Sequence, residues 1–219
     1  MSIRHILHIS ILTGALLWVS CNAALAAPVN YFVTINTSLL EGSGAFGLAF
    51  QLEDGSGTGD ANNTVVLSHF TFGGGSAGAV DLTAGGAAGN MTSAITMTDS
   101  DPFFNAFAQN FTPGATLSFE ATMTNNADVG AFDDMFLVSL LDGSGNGIPT
   151  LDPSGNDTLV TFTMSGKGAF PAEASWGTDT SQTAYHVAAP NVMTPEPGTW
   201  MLMSGGLLGL GLLRRRKLS

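Results

Sequence analysis

Apolar and polar residues alternate with a period of two along several stretches of this chain, and that pattern restricts its possible folds more than any other feature. Phe46, Leu48, Phe50 and Leu52 share one side of an extended strand, with Ala45, Gly47, Ala49 and Gln51 on the other. Leu117, Phe119, Ala121 and Met123 alternate with Thr116, Ser118, Glu120 and Thr122, as a strand with one dry and one wet face requires. The run 135–141 is apolar except at Ser139, which places it inside a sheet. Further strands are predicted near 30–37, 64–72, 91–98, 158–164 and 183–188. One helix is predicted over 101–110, where Asp101 can cap, Pro102 suits the first turn, and Phe103, Phe104, Phe107 and Phe111 recur at helical spacing as core residues. Together these elements predict an all-β, jelly-roll-like β-sandwich.

Charge is distributed unevenly enough to matter. Between Ala27 and Pro197 the chain carries 17 acidic residues against the single Lys167, a formal charge of −16. Such a domain repels nucleic acid and anionic headgroups, so no nucleic-acid partner is expected. The sole cysteine, Cys21, precedes the domain. Disulfides, zinc thiolates and thiol chemistry are therefore excluded from it, and stability must come from the core.

The two ends read as sorting segments, dividing the chain into 1–26, 27–193 and 194–219. The first has a basic start at Arg4, an apolar run from Ile6 to Val19, and the small-residue pattern Ala24-Leu25-Ala26, the marks of a signal peptide handled by the Sec translocon and signal peptidase. Cleavage after Ala26 is preferred to cleavage after Ala27, which would leave Pro28 beyond the scissile bond. A competing reading takes Trp18-Val19-Ser20-Cys21 as a lipobox. At the other end, Pro195-Glu196-Pro197 precedes an apolar stretch from Trp200 to Leu213 and the cluster Arg214-Arg215-Arg216-Lys217. As a helix those 14 residues would reach about 21 Å, short of a hydrocarbon core of about 30 Å. A short C-terminal transmembrane helix is still expected, with flanking residues or bilayer thinning making up the difference. The basic cluster would stay cytoplasmic while the domain lies outside.

This order of Pro-Glu-Pro, short Gly/Leu-rich span and terminal arginines resembles the PEP-CTERM sorting signal recognised by exosortases of Gram-negative bacteria. The resemblance implies that Pro195, Glu196 and Pro197 are the recognition motif and that the span anchors a precursor in the inner membrane. It further implies processing by an exosortase and a destination at the cell surface or in an exopolysaccharide-containing extracellular matrix. The body from Tyr31 to Gly166 resembles PEP-CTERM proteins of unassigned function through Asp54-Gly55-Ser56-Gly57, Phe111-Thr112-Pro113-Gly114 and the segment 133–142.

Inside the domain no catalytic constellation stands out, and the chain is read as a non-enzyme with a structural role; a glycan-binding or calcium-binding module is the alternative. Asp142, Ser144 and Asn146 occupy positions 1, 3 and 5 of a calcium-loop opening with Gly147 at 6. Pro153 stands where the bidentate Glu belongs, so Asp152 and Asp157 would have to supply the remaining oxygens. Calcium is thus the one cofactor the pattern admits, against the simpler reading of hairpin turns. The segment 50–59 echoes 138–147, each a strand running into an Asp-Gly-Ser-Gly loop. His69 and His186 lie in no hydrolase motif, and nothing favours Glu53, Glu120, Asp133 and Asp134 as a glycosidase pair. Trp176, Tyr31 and Tyr185 are a sparse supply of stacking platforms for sugars.

Overall fold

The computed structural model describes residues 27–127, 132–167 and 170–194. The signal peptide, the Pro-Glu-Pro motif, the C-terminal helix and the basic cluster lie outside the described residues. Twelve strands are defined: β1 (Val29–Asn36), β2 (Phe46–Glu53), β3 (Thr64–Thr71), β4 (Ser76–Ala84), β5 (Gly86–Gly89), β6 (Ala94–Thr98), β7 (Asn105–Thr112), β8 (Thr116–Met123), β9 (Asp134–Leu141), β10 (Thr158–Met164), β11 (Ala172–Ser175) and β12 (Asn191–Met193). They form two antiparallel six-stranded sheets, in the orders β12-β1-β8-β3-β6-β5 and β11-β10-β9-β2-β7-β4. Among the described residues no helix is long and apolar enough to cross a membrane.

The alternating residues make this a sandwich because each strand has one face that must leave water. Phe46, Leu48, Phe50 and Leu52 of β2 are buried, as are Leu117, Phe119, Ala121 and Met123 of β8 in the opposite sheet. The two sets meet where Phe119 stands edge-on to Phe50, ring centroids 5.5 Å apart. Within the second sheet Phe50 stacks on Phe136 at 6.1 Å and Phe136 on Phe162 at 6.0 Å. Each buried phenylalanine contributes roughly 1.5–3 kcal/mol of transfer free energy, so this aromatic row is a substantial part of the core that holds the layers together. Tyr31 ends the row, 4.7 Å from Phe162, and its hydroxyl donates to the Pro171 carbonyl at 2.8 Å. Burial, with a smaller contribution from the charge of Glu173, pushes that phenol up to about 12.

Two expectations are corrected. The segment 101–110 is not a helix: 101–104 is a turn and β7 runs from Asn105. On β7 the inward positions are Asn105, Phe107, Gln109 and Phe111. The two amides break the apolar alternation that would have revealed a strand, and the leftover phenylalanines happen to fall at helical spacing. Burying these amides is tolerable because both are satisfied. Gln109 accepts from the Met91 amide at 2.8 Å and donates to the Gly78 carbonyl at 2.9 Å. Asn105 accepts from Gly86 and Asp101 amides and donates to the Leu52 and Asp101 carbonyls. Phe103 and Phe104 are consequently outside the core, 82% and 46% exposed. The second correction concerns 183–188, which pairs with no strand. It is held to Thr178 instead, whose hydroxyl donates to the Tyr185 carbonyl and accepts from the Val187 amide, and the final strand comes later as β12 on the edge beside β1.

Candidate functional site

The Asp-Gly loops are built the same way at their first residue. Asp54 closes the loop after β2 by accepting amide hydrogens from Ser56, Gly57, Thr58 and Gly59, and the Ser56 hydroxyl as well. Burial alone would raise its carboxyl, but the Ser56 hydroxyl and the amides of Gly59, Ser56 and Gly57 outweigh this and lower it. Asp142 closes the loop after β9 by accepting from the amides of Ser144 at 2.8 Å and Asn146 at 2.9 Å. Those bonds, that of Asn146 foremost, lower its carboxyl too.

The residues expected to complete a calcium loop are directed elsewhere. Asp152 accepts from the Ser154 amide and hydroxyl and from the Thr158 hydroxyl, while Asp157 accepts from the Thr150 amide at 3.2 Å. Asn146 turns its amide nitrogen, 3.3 Å away, to Asp142. Ser144 is an exposed turn residue. Among the described residues no three His, Cys, Asp or Glu side chains converge in a way that could hold a metal ion.

Sequence reasoning missed the most heavily buried polar cluster. Asp99, just after β6, and Asp134, the first residue of β9, belong to opposite sheets and are both fully buried. The Asn63 amide donates to both oxygens of Asp99 at 3.2 and 3.0 Å, and its side chain donates to Asp134 at 2.6 Å. Asp134 also accepts the Gly55 amide at 2.7 Å. Burial pushes Asp99 up, the bonds from Asp134 and Asn63 partly offset this, and the charge of Asp60 adds to the rise. The signal available was Asp134 at an inward register position of an apolar strand, where an acid is expensive unless paired.

His69 occupies a break in the pairing of β3 with β8, between Ser68 and Thr71, with φ of 55°. Such an irregularity re-aims a side chain: His69 is 79% exposed and meets Glu120 at 2.9 Å through Nδ1. Ser68 contacts the same nitrogen at 3.1 Å. A Ser-His-acid relay needs the serine and the acid on different ring nitrogens, so this trio is not arranged as one. The carboxylates considered as a glycosidase pair are dispersed as well. Glu120 lies on the outer face of the first sheet, Glu53 on the outer face of the second and Asp134 between the sheets.

The outer face of the second sheet carries a groove of about 330 Å³. Ala49, Ala106 and Ala108 form its floor, Leu82 and Phe104 stand on the β4–β7 side, and Gln51, Glu53, Ser139 and Asn156 lie towards β2, β9 and β10. Gln51 donates to Glu53 at 2.9 Å, and burial raises the Glu53 carboxyl.

Residues 194–217 match the PEP-CTERM protein-sorting motif. No curated protein and no solved structure matches the chain. The motif begins at the residue after β12, and it implies export, sorting to the cell surface and an exosortase as the processing partner.

Proposed function

We propose that the sandwich of residues 27–193 is the working part of a surface or extracellular-matrix protein, delivered by its tail and serving there as a non-catalytic structural component. The observation that carries this reading is the sorting motif at 194–217 directly following the last strand of the domain. In this reading Ala24-Leu25-Ala26 directs cleavage of the leader, the span from Trp200 to Leu213 holds the precursor in the inner membrane, and Arg214, Arg215, Arg216 and Lys217 keep the C-terminus cytoplasmic. The absence of thiols and the strongly acidic surface suit a protein that must remain folded and dispersed in an oxidising, crowded exterior.

Cell fractionation in the native producer tests this. Glu196→Ala, or deletion of the exosortase, is expected to leave a full-length precursor in the inner membrane while the shorter surface form disappears. Equal amounts and equal sizes of the surface form in both backgrounds would make the tail a plain anchor. N-terminal sequencing of the exported form is expected to begin at Ala27, and a lipid-modified Cys21 at the N-terminus would replace the Sec leader with a lipoprotein route.

A further inference from the structure

We propose that the groove on the outer face of the second sheet binds an uncharged saccharide unit, one or two pyranose rings long. The proposal deepens the surface reading above, on which it rests for the setting in which such a ligand would be met. Three properties of the groove carry it. The first is its amphipathic lining. Leu82 and Phe104, both substantially exposed, offer an apolar wall on one side, while on the other Gln51, Glu53, Ser139 and Asn156 present hydroxyl, amide and carboxyl groups between Leu137 and Leu141 of β9. A pyranose has the matching division, an apolar C–H face that lies against an aromatic ring and a rim of hydroxyls that both donate and accept. A wholly apolar ligand would strand the polar wall.

The second property is size. A volume of about 330 Å³ sits at the small end of ligand pockets, and the floor is cut by alanines at 49, 106 and 108 where larger side chains would fill it. The third is charge. Among the described residues no lysine, arginine or histidine lines the groove, and Glu53 is the single ionisable group there. Anionic sugars are repelled both locally and by the acidic domain. Glu53 already holds the Gln51 amide through one oxygen, and its raised carboxyl suits it to exchange hydrogen bonds with hydroxyls.

The full chain, held in a mild detergent without a sugar headgroup, would be titrated with maltose, cellobiose and lactose, and in parallel with uronic-acid dimers and with spermidine. At least one neutral disaccharide is expected to bind. Phe104→Ala should weaken it about fivefold, the scale of a lost aromatic face. Ser139→Trp should abolish binding by filling the groove, and Glu120→Gln, on the outer face of the opposite sheet, should leave it unchanged. Thermal unfolding of each variant separates a lost site from a lost fold. Failure of all three sugars, binding that survives Ser139→Trp, or preference for the uronic acids or for spermidine would each overturn the proposal. Sorting is read independently by fractionation: a chain that binds sugar but is not processed breaks only the earlier reading, and a processed chain that binds none breaks only this one.

Discussion

The loops that follow β2 and β9 begin with the same four residues, Asp-Gly-Ser-Gly, and end in different structures. Phe50 and Val138, equivalent positions of the echoed segments, are direct partners across the β2–β9 ladder. The two copies are therefore related by a local twofold axis, and their loops emerge at opposite ends of one sheet. Each aspartate closes its own turn, and the equivalent Gly57 and Gly145 take φ of 66° and 82°. Beyond that the copies diverge. The Asp54 loop is docked: the Gly55 amide is held by Asp134, and the chain crosses to the other sheet as β3. The Asp142 loop stays in water, bonds back on itself from the Asp142 amide to the Asn146 carbonyl at 2.8 Å, and returns to the same sheet as β10. Identical local chemistry sets the turn, while what lies under the turn sets where the chain goes next.

The sharpest way to break this contrast is to remove the dock. Asp134→Ala would leave the Gly55 amide without its side-chain acceptor and take from the buried Asn63 side chain one of its two, and a loss of about 3 kcal/mol is expected in denaturant unfolding. A loss below about 1 kcal/mol would mean that the Asp54 loop does not depend on the layer beneath it. Next in size is a paired glycine substitution. A Cβ at Gly55 would overlap the Phe132 carbonyl oxygen and the Asp133 backbone, whereas one at Gly143 would meet only the Ala45 carbonyl oxygen, at 3.0 Å. Gly55→Ala is expected to cost about 2 kcal/mol, and Gly143→Ala distinctly less, both read from chemical unfolding midpoints. Equal costs would erase the distinction between docked and free loops.

Replacing the turn aspartates comes third. Asp54→Ala removes the acceptor of four backbone amides, and about 1–2 kcal/mol should be lost. Asp142→Ala should lower the midpoint by less, since its loop is exposed, and millimolar calcium should move the wild-type midpoint in neither direction. A calcium-dependent rise that Asp142→Ala abolishes would restore the loop as a metal site.

The smallest effect is in the pH profile, where the two environments have opposite slopes. Asp54 is lowered in the folded chain, so its contribution is present above the ordinary aspartate value and disappears as pH falls through the lower folded value. Asp99 is raised, so its contribution is complete below the ordinary value and is lost as pH rises through the higher folded value. Moving away from the ordinary aspartate value, the Asp54 contribution should therefore fall towards acid and the Asp99 contribution should fall towards higher pH. Asp99→Asn, which imitates the protonated acid, should flatten the decline above the ordinary aspartate value and leave the acid limb in place. An unchanged limb on that side would show that burial does not raise Asp99 in the folded chain.

Much of the sandwich was legible because its inward strands obey one rule. β2, β3, β8, β9 and β10 alternate or run apolar, and each was predicted within a residue or two of its observed bounds. The strands that escaped are those in which sequence and environment part company. β4 is an edge strand with Val80 and Leu82 partly exposed and two breaks in its register with β7, and β5, β11 and β12 have at most four residues each, too few for periodicity to register. β7 was hidden by Asn105 and Gln109 for the opposite reason, polar residues facing in. The same limit applies to function. The tail motif is contiguous and was readable directly, whereas the Asp99–Asn63–Asp134 cluster and the outer groove are assembled from residues far apart in the chain, and only folding brings them together.

The pairing of β12 with β1 gives the domain a mechanical character. Force entering from residue 194 is applied at Met193, the end of a strand held by three residue pairs, Met193 with Phe32, Val192 with Val33 and Asn191 with Thr34. Pulled away from β1 at that end, the pairs are loaded one after another, as a zip is. Behind them β1 is joined to β8 by eight pairs, with Tyr31, Val33 and Ile35 buried beneath. A tug on the tail thus meets the three pairs of β12 before it reaches the eight that join β1 to β8.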